Sequence, residues 1–321
     1  MHYFAKWGDD MRLAEYSSTN KALGGPVTLG FVSGDTQENA DRLMKQLWLE
    51  VYAFEKRFSR FISTSELSIF NQRAGSKVSI SPAFEQILRA AEQQALTTEG
   101  LYNPFILPAL QQAGYVGTAD ADYAADEATD YTKRMVADIS QLEIGGGNAR
   151  IPYATALDLG GCGKGYLADQ LGATLREAGV AGYWLELSGD IATFGHDAEG
   201  NPVTVAVQSA TDGTLPESIT CPSTPSGVAT SGTFRRSTQT ETLKSHHIID
   251  PRTLQPAETD IALATVQADT ALDADVLASC AVIVGSEAAP EYLRQHGARA
   301  WILQVMNQNG TYTTVKEGIH A

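Results

Sequence analysis

Cysteine is scarce. The three in 321 residues, Cys162, Cys221 and Cys280, lie too far apart for paired zinc ligands or for the dense disulfide framework of a small secreted domain. Reduced thiols in a cytosolic protein are the expectation that follows. Positive charge is scarce too: 23 Lys and Arg face 38 Asp and Glu, a formal net charge of −15. A nucleic-acid binder needs a basic face to release counterions from phosphates, and this balance argues against that class. Apolar runs are short, and none approaches the ~20 residues that span a bilayer. The opening MHYFAKWGDDMRLAEYSSTN has neither the apolar core of a signal peptide nor an early cysteine for a lipid anchor. With Met1 as the natural start, a cytoplasmic protein is expected, and an exported one only if a leader precedes this sequence.

What is present fits a globular protein, 43% hydrophobic and 19% charged. No repeat or low-complexity linker divides it, so the expected organisation is a polar leader over 1–20 and one domain over 21–321. Residues 27–31 read as a strand, and 35–58 carry Leu43, Leu47, Val51, Phe54 and Phe58 at helical spacing. A second helix fits 82–97, with Pro82 in its first turn. Residues 119–130 form an acidic, solvated segment without calcium-loop spacing. Strands are expected at 183–187, 203–208, 227–229 and 300–305, a surface excursion at 209–226, and a helix over 273–284 stopped by Gly285. Helices mixed with hairpin-like strands give a mixed α/β (α+β) class.

The stretch LDLGGCGKGYLADQL (157–171) concentrates four glycines in six positions. Residues 154–159 read as a buried strand ahead of it, and a helix as starting near Tyr166. It is no P-loop, because Gly163-Lys164 is followed by Gly165 rather than Ser or Thr. Gly163, Gly165 and Ala168 do satisfy a loose G-x-G-x-x-A, with Glu186 where a ribose-binding acid belongs, which keeps a nicotinamide oxidoreductase among the readings. A tight strand-to-helix turn explains the glycines but leaves Asp158 and Lys164 without a purpose.

Three later stretches carry chemistry-bearing residues. ATSGTFRR (229–236) ends a strand in hydroxyls and arginines. SHHIIDPRT (245–253) would, if extended, point His247 and Ile249 one way and Ile248 and Asp250 the other. LDADVLASCAVIVG (272–285) puts Asp275 and Ser279 on one helical face. Singly, each has a structural explanation: Asp275 favours a helix dipole, Ser279 can bond back to its own helix, and Asp250-Pro251 opens turns.

In this order, DLGG-x-x-KGY, LSGDI, ATSG-x-F-x-R, HIIDPRT and AD-x-L-x-S followed by V-x-G resemble the ApbE family, flavin transferases that move FMN from FAD onto a threonine of a target protein. RFSRFISTSELSIFN (57–71) and EGLYNPFILPAL (99–110) resemble two further segments of that family, and the likeness spans about 22–306. It implies a single ApbE-like, T-fold-like domain with FAD as substrate in a central crevice and Mg²⁺ at its diphosphate. The metal ligands implied are Asp275, Ser279 and the carbonyl of Gly161; hard Mg²⁺ takes such oxygens and is completed by phosphates. Phe61, Leu101, Tyr102, Asn103, Asp158, Lys164, Ile248 and Ile249 fall at positions implied to line or contact the FAD, and His247 at the position implied to handle the threonine proton. The partner implied is an acceptor protein with an Asp-x-x-[Ser/Thr]-Gly-[Ala/Ser]-Thr motif, which this chain itself lacks. Asp275→Ala is expected to abolish Mg²⁺-dependent turnover and spare the fold, as a carboxylate on the helix surface would.

The sequence departs from the family pattern where Asp-x-Thr is replaced by Asn103-Pro104-Phe105, and where an acid is replaced by Thr233. Those losses keep open an FAD-binding or FAD-hydrolysing homologue without transfer. Ala278-Ser279 retains a hydroxyl at the metal position, and Cys162 and Gly163 contribute mainly backbone.

Overall fold

The computed structural model describes residues 13–115, 130–233, 238–240 and 243–319, and one eight-stranded sheet organises them. Its strands are β1 (Ala14–Ala22), β2 (Gly25–Ser33), β3 (Gly182–Leu187), β4 (Asp190–Gly195), β5 (Ser226–Gly232), β6 (Ile261–Ala268), β7 (Ala300–Met306) and β8 (Tyr312–Glu317). Their order across the sheet is their order in the chain, and every neighbouring pair is antiparallel. The mixed α/β class holds. The dinucleotide reading does not, because the strand after the glycine-loop helix, β3, runs antiparallel to both β2 and β4, whereas a βαβ unit joins parallel strands.

Among the described residues, the connections carry the helices α1 (Gln37–Phe58), α2 (Glu66–Gln72), α3 (Pro82–Thr97), α4 (Leu107–Gln112), α5 (Gly163–Glu177) and α6 (Ala271–Gln295). The expected helix over 82–97 keeps its bounds because Ser81 caps it, accepting from the Phe84 N–H, with Pro82 just inside. Leu47 and Val51 of α1 and Leu167, Leu171 and Leu175 of α5 bury against Leu29 and Phe31 of β2 and Tyr183 and Leu185 of β3. Each such side chain contributes roughly 1.5–3 kcal/mol on burial. On another patch of the sheet, Val205, Val207, Ile219 and Cys221 cover Val228 of β5 and Ile302 of β7.

Four local expectations change. Residues 14–20 are not leader: β1 pairs with β2 from Ala14↔Ser33 to Ala22↔Gly25, held by Tyr16 stacked on Phe31 and by the Trp48 Nε1–H bond to Ser18 Oγ. Only 1–12 of that stretch, with the acidic 116–129, lie outside the described residues. The excursion at 209–226 contains a strand, Glu217–Thr220, paired with Thr204–Val207 and anchored by buried Ile219 and Cys221. Residues 154–159 form no strand, since Ala154 takes a left-handed φ of 60° and the backbone's partners come from scattered side chains and single backbone groups rather than a neighbouring strand. The Asn71 amide both donates to Leu157 O and accepts from Leu157 N–H, at 2.8 Å each, as a neighbouring strand would. Finally, Gly285 (φ 80°, ψ 167°) breaks α6 as expected, but the helix resumes because the Asp260 carboxylate accepts from Ser286 N–H and Oγ–H.

Candidate functional site

The glycine loop delivers its residues to the front of α5, which starts at Gly163 rather than near Tyr166 and so places Lys164 in its first turn. Gly165 is glycine for a packing reason: a Cβ there would stand 2.5 Å from Ala271 O, because the starts of α5 and α6 touch. The contact is sealed by Asp169 of α5, whose two carboxylate oxygens accept from Ala271 and Leu272 N–H, both at 2.9 Å. Burial raises the Asp169 carboxyl to about 6 despite those bonds. Thr270 caps α6 as well, accepting from Asp273 N–H at 3.0 Å, and the second turn then carries Asp275.

The third contributor is a hairpin turn. Ser188 and Gly189, both at positive φ (57° and 104°), join β3 to β4 in the mirror-image two-residue form that suits twisted strands. Its next residue is Asp190, 3% exposed. The Lys164 ammonium pairs with Asp190 and lies 3.9 Å from Asp275 Oδ2. Asp275 is 4% exposed rather than a surface carboxylate, and its Oδ2 has no hydrogen-bond partner. Burial and then the charge of Asp190 raise its carboxyl to about 7, against the pull of Lys164 and the Gly165 N–H. One turn on, Ser279 Oγ is 2.8 Å from Ser231 Oγ at the end of β5.

Asp158 is also buried. Its N–H bonds to Pro104 O at 2.7 Å, its Oδ2 accepts from Gly160 N–H at 3.2 Å, and its Oδ1 is 3.3 Å from Arg60 Nε. Pro104 belongs to the wall formed by 99–105. There Leu101 and Tyr102 are buried, and the Tyr102 ring would lie 3.5 Å from a Cβ on Gly161. The Tyr102 hydroxyl is buried without a hydrogen-bond partner, and burial holds it protonated. Asn103 is a brace: its Oδ1 accepts from Phe105 N–H at 2.9 Å and its Nδ2 donates to Ala137 O at 3.0 Å. Phe105 is fully buried.

Arg60 extends the site to the opposite wall. Its guanidinium lies 4.6 Å over the Phe61 ring and donates to Tyr115 O at 3.4 Å, and the Tyr115 ring meets His247 edge-on at 6.0 Å between centroids. Ile249 packs beside Tyr115 and Leu110, while Ile248 enters the main core with Tyr102 and Leu277. The expected alternation along 247–249 is therefore present. Lys164 and Asp275 meet at the starts of α5 and α6, with Asp158 and Gly161 in the loop just before α5 and Ser279 one turn further along α6; His247 connects to Asp158 through Tyr115 and Arg60. Sequence reasoning gave no role to Asp190, Arg60, Asn71 or Ser231. Each stood inside a quoted motif, LSGDI, RFSRF, SELSIFN or ATSG, but residue type alone did not reveal which would be buried against the others.

Among the described residues no three His, Cys, Asp or Glu side chains gather into a metal-ligand cluster. The cluster instead offers a buried carboxylate with one oxygen lacking a hydrogen bond, a hydroxyl one turn away and a loop backbone. This all-oxygen, ligand-poor set fits a hard divalent ion that keeps water and substrate oxygens, and fits zinc poorly.

A family model described as the ApbE family matches residues 23–302. The chain belongs to the ApbE family. Among curated proteins, this ApbE-family chain is 31% identical over 147 residues to the FAD:protein FMN transferase of Salmonella typhimurium (strain LT2), a match covering 46% of this chain and 42% of that protein. The chain thus spans about two fifths of the length of the first curated relatives it matches. A second FAD:protein FMN transferase, from Klebsiella pneumoniae (strain 342), is 24% identical over 279 residues, covering 85% of this chain and 79% of that one. The solved flavinyl transferase ApbE of Pseudomonas stutzeri superposes with a TM-score of 0.81 at 22% identity, covering 98% of this chain and 100% of that chain. The flavin transferase ApbE of Vibrio cholerae gives 0.77 at 22%, over 95% and 97%. These two structures establish the ApbE-like fold for the eight-stranded sheet and its helices.

Proposed function

We propose that this ApbE-family protein transfers FMN from FAD to a threonine hydroxyl of an acceptor protein in a Mg²⁺-dependent reaction that releases AMP. The observation carrying the reading is the buried cluster at the starts of α5 and α6, where Asp275 keeps an orphaned oxygen beside Lys164 and the glycine loop. Asp275, Ser279 and the Gly161 carbonyl would hold Mg²⁺, which supplies charge neutralisation at phosphoryl oxygens.

The remaining work falls to the chain's own residues. Leu101, Tyr102, Asn103 and Phe61 line the FAD, with Ile248 and Ile249 behind it; Asp158 shapes the loop whose backbone approaches the diphosphate. Lys164, paired with Asp190 at the start of α5, brings positive charge to the glycine loop where the phosphates would lie. The threonine oxygen forms a bond to the FMN phosphorus while the bond to the bridging oxygen breaks, and AMP departs with that oxygen. His247 accepts the hydroxyl proton. The acceptor is recognised through an Asp-x-x-[Ser/Thr]-Gly-[Ala/Ser]-Thr segment.

Incubation with FAD, Mg²⁺ and a peptide bearing that segment should yield AMP and a peptide heavier by FMN less water, both lost with a chelator. A second reading, hydrolysis of FAD to FMN and AMP or simple flavin holding, is favoured by the wall: Asn103 is committed to backbone bonds and Phe105 is buried where the family has a hydroxyl. Free FMN with an unmodified peptide would select hydrolysis, and intact bound FAD would select holding.

A further inference from the structure

Lys164 stands between two buried carboxylates, and their environments differ. It pairs directly with Asp190, yet stays 3.9 Å from Asp275 Oδ2, within ion-pair range but beyond a hydrogen bond, and that oxygen accepts no hydrogen bond. The three residues come from α5, β4 and α6, so their spacing is set by the touching helix starts and by the Ser188-Gly189 turn rather than by flexible side chains alone. A lysine beside a lone buried carboxylate closes onto it, since an unpaired buried charge is strongly disfavoured and the ammonium is its natural partner. An ammonium seated there would repel a dication and occupy its ligand.

We infer that Asp190 is a positioning residue that holds the Lys164 ammonium off Asp275 and so keeps the Asp275 carboxylate open to a divalent cation. The inference rests on the metal reading of Asp275 above and gives Asp190 no place in the metal's own coordination. The arrangement amounts to a competition: lysine and cation both seek Asp275, and Asp190 decides it by taking the lysine. Removing Asp190 returns the lysine to Asp275, whereas removing both leaves Asp275 available again.

The test is Mn²⁺ binding to the full chain without FAD, read from the electron paramagnetic resonance signal of the free ion. The proteins are wild type, Asp275→Asn, Asp190→Asn, Lys164→Met and the Asp190→Asn/Lys164→Met double variant, each checked by circular dichroism. Asp190→Asn should weaken binding about tenfold or more, and adding Lys164→Met should restore it to within about threefold of wild type, because the competing ammonium is gone. Lys164→Met alone should bind at least as tightly as wild type, an expectation that stands even if Asp190→Asn fails to fold. Unchanged binding in Asp190→Asn overturns the inference, as does loss in Lys164→Met. Loss in Asp190→Asn that Lys164→Met does not restore also overturns it, making Asp190 a ligand itself. If Asp275→Asn binds as wild type does, the metal reading falls and takes the inference with it; if only Asp275→Asn loses binding, the metal reading stands and the role of Asp190 falls alone.

Discussion

A carboxylate that is buried, lacks a partner for one oxygen and sits near a second carboxylate works against the fold when no cation is bound. Asp275 meets all three conditions, and the rise of its carboxyl to about 7 states the same penalty in protons. Asp275→Asn should therefore leave the metal-free protein as stable as wild type or raise its stability by on the order of 1–2 kcal/mol, while erasing the thermal shift that Mg²⁺ gives wild type. Melting curves with Mg²⁺ and with a chelator check both halves. A Mg²⁺ shift that survives in the variant would remove Asp275 from the metal site. Asp275 and its helical partner Ser279 were legible in the sequence, with Asp275 as a helix-surface carboxylate facing a crevice, because a spacing of four reports a shared face and not what covers it. Asp190 shows the same limit from the other side. Nothing about an Asp after Ser-Gly announces burial until the turn carries it against a lysine 26 positions earlier.

Between elements, the junction of α5 with α6 sets the site's dimensions. Gly165→Ala would drive a methyl group into Ala271 O and Leu272 Cα, backbone atoms that cannot rotate away, so the helices must separate. A loss of about 1–3 kcal/mol in denaturant unfolding is expected, together with weaker cation binding because Lys164 and Asp275 move apart. Asp169 ties the same junction and adds a pH dependence. Its carboxyl is raised from 3.8 to about 6 by burial, so its contribution to stability is full below the ordinary value and is lost as pH rises through about 6. Between pH 4 and 7 the stability of wild type relative to Asp169→Asn should fall by up to about 3 kcal/mol, measured by urea unfolding at each pH. A difference that is flat across that range would deny the burial of the charge. Helices of this kind were legible, α3 to the residue, because caps and apolar spacing are local. β1 was not, since Ser, Thr, Asn and Lys on an edge strand present no apolar face, and its hold comes from Phe31 and Trp48, which are far along the chain.

Across the whole molecule, the eight-stranded sheet in chain order distinguishes what the glycine loop can bind. A nicotinamide dinucleotide in a G-x-G-x-x-A site needs a parallel strand-helix-strand unit whose first strand leads into the loop. Here that strand is absent: residues 154–159 are irregular, and Asn71 and Arg134 side chains, with Met135 N–H and Pro104 O, satisfy their backbone. The loop is thus held rigid from the α2 side and opens toward the wall of 99–105, through the bond from Asp158 N–H to Pro104 O. Motif order in the sequence pointed to this common focus, but the distances that make it one site come from long-range packing that no local pattern encodes. FAD at 100 times its dissociation constant should then stabilise the protein by about 2.7 kcal/mol, and by more with Mg²⁺ present, whereas NAD at the same concentration should leave the melting temperature unchanged. Removing Asp275 should eliminate the Mg²⁺ increment and spare part of the FAD effect, because the walls carried by Tyr102 and Ile248 remain. Equal protection by NAD and FAD would mean that the pocket recognises only the adenosine diphosphate they share, and the flavin-facing roles given to Phe61, Leu101 and Ile249 would have to be withdrawn.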